Sequence, residues 1–316
     1  MPLQPCPIAS TGGKDVRPVP EAKHRPSPRN RPRILAISNQ KGGEGKTTTA
    51  VNLAASLAAA ERKVLLIDLD PQGNASSSVG YPRGAAQRGT YDLLLGQAGL
   101  AEVVHSTELE RLDVVPASAD LAGAEIELVG VEGRESVLAR ALDTAFDSAD
   151  PTLDWEFVVF DCPPSLGILT LNALVAANAV LIPMQARYFS LEGLGALVGT
   201  IDRVRAALNP TLEIEGIVFC MFDRRTNLAQ QVVAEVEAHF GDKVFETVIP
   251  QNIRLSESPS FGKPALLYDI ESKGAQAYLA LAEELLQRMD TRAAKTASVK
   301  TASTKAKTKT KAKAKP

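Results

Sequence analysis

Twenty-five consecutive residues, Arg33 to Leu57, restrict what this chain can fold into more than any other stretch. They read R-I-L-A-I-S-N-Q-K-G-G-E-G-K-T-T-T-A-V-N-L-A-A-S-L. The apolar run Ile34 to Ile37 has the length of a short buried strand. Thr47 to Ala60 carries Val51, Leu53, Ala54 and Leu57 at helical spacing. Between the two, Asn39 to Gly45 is a glycine-rich turn. Strand, glycine loop, Lys-Thr and helix make a phosphate cradle. Gly42, Gly43 and Gly45 let the backbone curl until several N–H groups face one anion. The helix N-terminus adds partial positive charge. Lys46 has the length to reach β- and γ-phosphates, and Thr47 offers a hydroxyl to Mg²⁺.

The loop departs from the common G-x-x-x-x-G-K-[ST] pattern, because Gln40 stands where the first glycine belongs. The pattern present is K-G-G-x-G-K-T, the deviant Walker A form, with Lys41 opening the loop. Downstream, Val158 to Asp161 reads V-V-F-D, a Walker B element. An acid at the end of a buried strand suits Mg²⁺, which prefers oxygen ligands and keeps several waters. Lys63 to Leu69 is a second continuous apolar strand, ending in Asp68 and Asp70. These two acids share a side of the strand end. One is suited to support Mg²⁺ and the other to orient a water; alternatively, one of them only caps a turn.

The rest of the chain alternates strands and helices. Strands are expected at Leu112 to Pro116, Phe157 to Phe160, Ala179 to Pro183, Glu215 to Phe222 and Val244 to Ile249. Helices are expected at Thr90 to Gly96, Gly123 to Gly130, Glu135 to Phe146, Leu169 to Ala177, Leu191 to Leu208, Leu228 to Phe240 and Lys273 to Met289. Continuous rather than alternating apolar strands belong to a sheet covered on both faces. The fold class is therefore α/β, a doubly wound, mostly parallel sheet of the P-loop NTPase kind.

Charge divides the chain into three. Residues 1–33 hold seven Lys/Arg against two acids, and residues 291–316 hold nine Lys/Arg and no acid. The overall charge of −2 therefore leaves about −16 to the segment between. An acidic body with basic arms suits a polyanionic partner. Eight prolines in residues 1–32 predict a disordered arm, and the Lys/Ala/Thr run from 291 predicts a disordered basic tail. The ATPase domain is then 33–290. Three scattered cysteines, Cys6, Cys162 and Cys220, give no zinc spacing and suit a reducing compartment. With no apolar run of membrane length and no secretory leader pattern, a cytoplasmic location is expected.

Four motifs in order carry a resemblance to a known family: N-Q-K-G-G-x-G-K-T-T-T-A-x-N-L-A, then L-I-D-L-D-P-Q-G-N-A-S, then D-C-P-P-S-L with L-T-L-N-A-L, then I-P-x-N-I-R-L-S-E-S-P-S-F-G-K-P. Over Ile34 to Met289 the chain resembles the ParA, or Soj, partition ATPases. The resemblance implies ATP and Mg²⁺ as cofactors and a homodimer closed by ATP. It also implies non-specific binding of double-stranded DNA on the nucleoid, and a ParB-like protein that stimulates hydrolysis. It assigns Lys41 a reach across the dimer to the other subunit's nucleotide, comparable to an arginine finger. Lys46 becomes the phosphate-loop lysine and Asp70 the residue tied to hydrolysis; these three are the catalytic candidates. Gly42, Gly43, Glu44, Gly45, Thr47 and Thr48 complete the phosphate-side nucleotide contacts. Met221, Pro250 and Asn252 fall in stretches that approach the adenine. Thr47, Asp68 and Asp161 are the metal candidates, and Arg225 and Arg254 match arginines linked to DNA. Glu44 is a departure, since the family more often has valine there. It is expected to turn away from the phosphates, toward a dimer partner.

A MinD-like positioning ATPase shares the deviant loop, but needs an amphipathic C-terminal helix to lie on membrane. The lysine-rich tail has almost no large apolar residues, so membrane binding is disfavoured. An iron–sulfur reductase of the same superfamily needs a cysteine pair that the spacing does not supply. A related tyrosine kinase needs a tyrosine-rich tail, which is absent.

Overall fold

The computed structural model describes residues 31–148, 150–223 and 225–312. All but the last two residues of the expected N-terminal arm lie outside them. The described strands are β1 (Arg33–Ile37), β2 (Val64–Asp68), β3 (His105–Ser106), β4 (Leu112–Val115), β5 (Phe157–Asp161), β6 (Ala179–Gln185) and β7 (Glu213–Cys220). They form a seven-stranded sheet in the order β3-β4-β2-β5-β1-β6-β7. Every pairing is parallel except that of the two-residue edge strand β3 with β4, which the sequence reading omits.

Twelve α-helices are described: α1 (Lys46–Ala59), α2 (Asn74–Ser77), α3 (Thr90–Leu94), α4 (Leu100–Val103), α5 (Leu121–Glu127), α6 (Val137–Asp147), α7 (Ile168–Ala176), α8 (Tyr188–Ala207), α9 (Asn227–Phe240), α10 (Ile253–Glu257), α11 (Ala265–Tyr268) and α12 (Lys273–Ala312). Strand residues alternate between two separate apolar cores. Ile34, Ala36, Leu65, Ile67, Val158 and Phe160 face one layer, where α3 to α9 contribute Leu93, Leu138, Leu169, Leu197 and Val232. Leu35, Ile37, Val64, Leu66, Phe157 and Val159 face the other, against α1 and α12 through Leu53, Leu57, Tyr278 and Leu285. Both faces are buried, which is why these strands read as unbroken apolar runs.

Strands β1 and β6 are neighbours, and the chain runs from β1 toward β2 on one side and from β6 to β7 on the other. This is the switch point at which open α/β sheets place ligands. The register sets the site: Ile37 pairs with Asp161, and Asp68 pairs with Asp161. The phosphate loop, Asp161 and Asp68 thus leave the sheet at one level of its carboxyl edge.

Two expectations are corrected. Val244 to Ile249 is no strand; it touches β7 through single bridges at Ile217–Val244 and Phe222–Pro250. The segment crosses β7 closely at Gly216, where an added Cβ would sit 2.4 Å from the Phe245 ring. Helix α12 continues beyond Met289, through the segment expected to be disordered, to Ala312. Alanine and lysine are strong helix formers and no glycine or proline interrupts them. Arg292, at the start of that extension, donates to the fully buried Glu215 of β7 at 2.5 Å, and Arg33 donates to the same carboxylate at 2.6 Å.

Candidate active site

Lys46 is the first residue of α1, and its side chain turns back into the phosphate loop. Its ammonium donates to the Lys41 carbonyl at 2.8 Å, closing the loop on itself. Burial lowers its pKa, and the charges of Asp161, Asp70 and Glu44 oppose that shift. The loop takes left-handed backbone at Gly43 (φ 76°) and Gly45 (φ 93°). Gly45 is further confined: an added Cβ would lie 3.2 Å from that of Cys220 at the end of β7. The end of β7 therefore packs directly on the phosphate loop. Met221, the next residue, is itself held at φ 51° and is exposed. The Phe222 N–H donates to the Ile249 carbonyl at 3.1 Å, which brings the chain at Met221 beside that at Pro250. Asn252 is used differently. Its side chain accepts from the Arg254 N–H at 3.0 Å and caps α10.

Asp161 is fully buried, and neither of its carboxylate oxygens has a hydrogen-bond partner. Burial raises its pKa well above the carboxylate range, Asp68 raises it further, and the nearby Thr47 hydroxyl and Lys46 oppose this. Two unsatisfied oxygens beside Thr47 and a lysine are what a divalent cation would satisfy. Among the described residues no group of three or more His, Cys, Asp or Glu side chains could hold a metal. Mg²⁺ takes one or two protein ligands and fills the rest of its shell with phosphate and water. Thr47 and Asp161 fit it.

Asp68 differs from Asp161 in that both of its oxygens have partners within the chain. One of its oxygens accepts from the Ser76 N–H (2.8 Å) and hydroxyl (2.6 Å), and the other from the Asp70 N–H (3.1 Å). Both acids cap turns, and Asp68 in addition anchors Ser76. Asp70 accepts from the Gln72 N–H at 2.9 Å and lies within electrostatic reach of Lys46. Thr47 and Thr48 also line a pocket of about 380 Å³ with Asn52, Asn74 and Lys263, beside the loop.

Burial pushes the Asp68 carboxyl up to about 6 from an ordinary 3.8. The folded protein then keeps a proton that the unfolded chain has lost over that interval, so this group favours folding as pH falls from 7.5 to 5.5. The expected gain is about 1 kcal/mol. Thermal melts of the nucleotide-free protein across this range will show the trend, and Asp68→Asn will reduce its slope, leaving the part due to Asp161, which burial also raises. An equally steep trend in Asp68→Asn would remove Asp68 as its source.

Lys41 leaves the cradle. Its ammonium donates to the Phe189 carbonyl and lies 5.4 Å from the centre of the Phe189 ring. Glu44 also turns away from the loop interior, as expected, but it meets its own chain. Its carboxylate accepts from the Gln185 N–H at 2.5 Å and from the Ser190 hydroxyl at 2.9 Å. Gln185, Phe189 and Ser190 carry no motif and escaped the sequence reading. Arg225 is highly exposed and pairs with Asp223 at 2.8 Å. Arg254 pairs with Glu257 at 2.8 Å and Asp269 at 3.1 Å. Surface pairs of this kind contribute little and are screened by salt.

A family model described as "AAA domain" matches residues 32–214. The chain is 55% identical over 256 residues to the chromosome partitioning protein ParA of Myxococcus xanthus, covering 81% of this chain and 88% of that one. It is 51% identical over 253 residues to the sporulation initiation inhibitor protein Soj of Bacillus subtilis, covering 80% and 98%. Among solved structures, cobyrinic acid a,c-diamide synthase from Mycobacterium smegmatis, with bound ATP analog and magnesium, superposes with a TM-score of 0.70. That pair is 36% identical, and the match covers 82% of this chain and 96% of the other.

Proposed function

We propose an ATP-gated, DNA-binding dimer switch for this chain, which belongs to the ParA/Soj family of chromosome-partitioning ATPases. Its reaction is hydrolysis of ATP with Mg²⁺. The observation that carries the site assignment is Asp161: a buried carboxylate with two unsatisfied oxygens, in register with the phosphate-loop strand and beside Thr47 and Lys46.

Lys46 and the loop N–H groups bind the phosphates, while Thr47 and Asp161 hold Mg²⁺. Held there, Mg²⁺ would supply positive charge to offset the negative charge of the triphosphate. Asp70, at the rim of the same carboxyl edge, orients the attacking water. Lys41 crosses to the nucleotide of a second subunit, which makes hydrolysis a property of the dimer. A ParB-like protein stimulates turnover and so resets the switch. Among the described residues no helix is long and apolar enough to cross a membrane. The proposed location is the cytoplasm, on the nucleoid.

DNA binding is assigned to Arg225 and Arg254, helped by the lysines of residues 295–316. Each arginine exchanges a weak surface pair for a phosphate contact, which is bidentate and sequence-blind. Arg225→Glu with Arg254→Glu will weaken ATP-dependent DNA binding by at least about tenfold, since each change removes one contact and adds a repulsive charge. Removing residues 295–316 leaves the Arg292–Glu215 pair in place, and will flatten the slope of log affinity against log salt. Unchanged titrations for both variants would refute this surface. ATP-dependent sedimentation with anionic vesicles but not with DNA would favour the MinD-like alternative.

A further inference from the structure

Gly43 and Glu44 of the phosphate loop are joined to the β6–α8 junction by three hydrogen bonds. Two end on Glu44, from the Gln185 N–H and the Ser190 hydroxyl. The third runs from the Gln185 side-chain amide to the Gly43 carbonyl at 2.7 Å. Glu44 and Ser190 are both buried. Bonds to an ionised carboxylate are shorter and stronger than neutral ones. A valine at position 44 would leave the Ser190 hydroxyl and Gln185 N–H without this acceptor.

The same junction holds Lys41. Phe189 precedes Ser190 and supplies both the carbonyl and the ring that receive the Lys41 ammonium. The first turns of α8 also carry Gly193, where an added Cβ would sit 3.5 to 3.6 Å from the aliphatic carbons of Lys41. The lysine stem therefore lies along α8, and residues 189–193 form its resting place. Lys41 must leave that place to reach a nucleotide on another subunit.

We propose that Glu44 is a positioning residue: through Gln185 and Ser190 it fixes the start of α8 against the phosphate loop, and so holds Lys41 retracted in the resting subunit. The inference rests on the reading of Lys41 as the bridging lysine. Its physical basis is that a rigid acceptor keeps the Phe189 carbonyl permanently within reach of Lys41. Freeing the junction lets that acceptor drift, lowers the cost of extending Lys41, and shifts the population toward the pairing-competent form. The device opposes premature pairing and acts before any chemistry.

The test uses the full chain with Mg²⁺ and a non-hydrolysable ATP analogue, and sedimentation velocity over a protein concentration series. Ser190→Ala and Glu44→Val release the junction. Glu44→Gln preserves it, because its amide oxygen accepts from Gln185 and its NH₂ donates to the Ser190 hydroxyl oxygen. Ser190→Ala and Glu44→Val are expected to lower the concentration of half-dimerisation by about 25-fold, because the equivalent of one hydrogen bond, about fivefold, is released in each of two subunits. Glu44→Gln, whose neutral bonds are weaker than those of the carboxylate, is expected to fall nearer wild type than Glu44→Val. Titration with fluorescent ADP separates this effect from damage to the nucleotide site, and Ser190→Ala should retain ADP affinity. Wild-type or weaker dimerisation in both releasing variants would overturn the proposal, as would Glu44→Gln behaving like Glu44→Val. Lys41→Ala separates the two layers. If it dimerises as wild type does, the bridging role of Lys41 falls and the latch with it. If it fails to dimerise while the releasing variants match wild type, only the latch falls.

Discussion

Asp161→Asn will raise the melting temperature of the nucleotide-free protein and abolish its Mg²⁺-dependent ATP turnover. The two effects share one cause. Asp161 is fully buried, faces Asp68 across the β2–β5 ladder and has no hydrogen-bond partner for either oxygen. Burial and the neighbouring Asp68 charge both oppose its ionised form. In the absence of a cation, that carboxylate costs stability. Asparagine keeps the shape and removes the charge, for an expected gain of about 1 to 3 kcal/mol. In a chain of this size that is a rise of a few degrees. The cation loses its protein carboxylate at the same time, and turnover is expected to fall by about 10² or more. Thermal melts with and without Mg·ATP check both halves. A less stable apo protein that still gains the full Mg·ATP shift would contradict the assignment.

Lys46→Ala will reduce ATP turnover by about 10² to 10³ and weaken triphosphate binding. The ammonium is the one side-chain cation inserted in the loop, and it bonds to the Lys41 carbonyl within the cradle. It also sits close to the charges of Asp161 and Asp70, so its removal leaves those two acids unopposed beside an incoming triphosphate. Steady-state kinetics with an ADP-binding titration will show the loss. Wild-type turnover would remove Lys46 from the site.

The parts of this site written in short segments were legible in the sequence. A strand, three glycines, a lysine and a threonine within one 25-residue stretch specify a phosphate loop, because neighbours in sequence do the work. Asp161 was legible as an acid ending a buried strand, and the parallel register then brought it to Ile37. The division of labour between Asp68 and Asp70 was not legible, since it depends on Ser76 folding back onto Asp68. Glu44 was legible only as an anomaly. Its partners stand more than 140 residues away, and β6 reaches β1 through a crossover that no local pattern records. Lys41 reads as a lysine reaching outward, yet the isolated chain holds it on Phe189. The Val244 to Ile249 segment has the composition of a strand, but it makes only isolated bridges to β7.

The central claim is that bound ATP, rather than the polypeptide alone, creates the DNA-binding form. The most direct measurement is DNA-binding titration of the full chain with ATP and with ADP, in wild type and Lys46→Ala, at fixed salt. Tight binding by wild type with ATP, and weak binding with ADP and by Lys46→Ala with either nucleotide, is the expected result. Equal DNA affinity in all four conditions would contradict the switch.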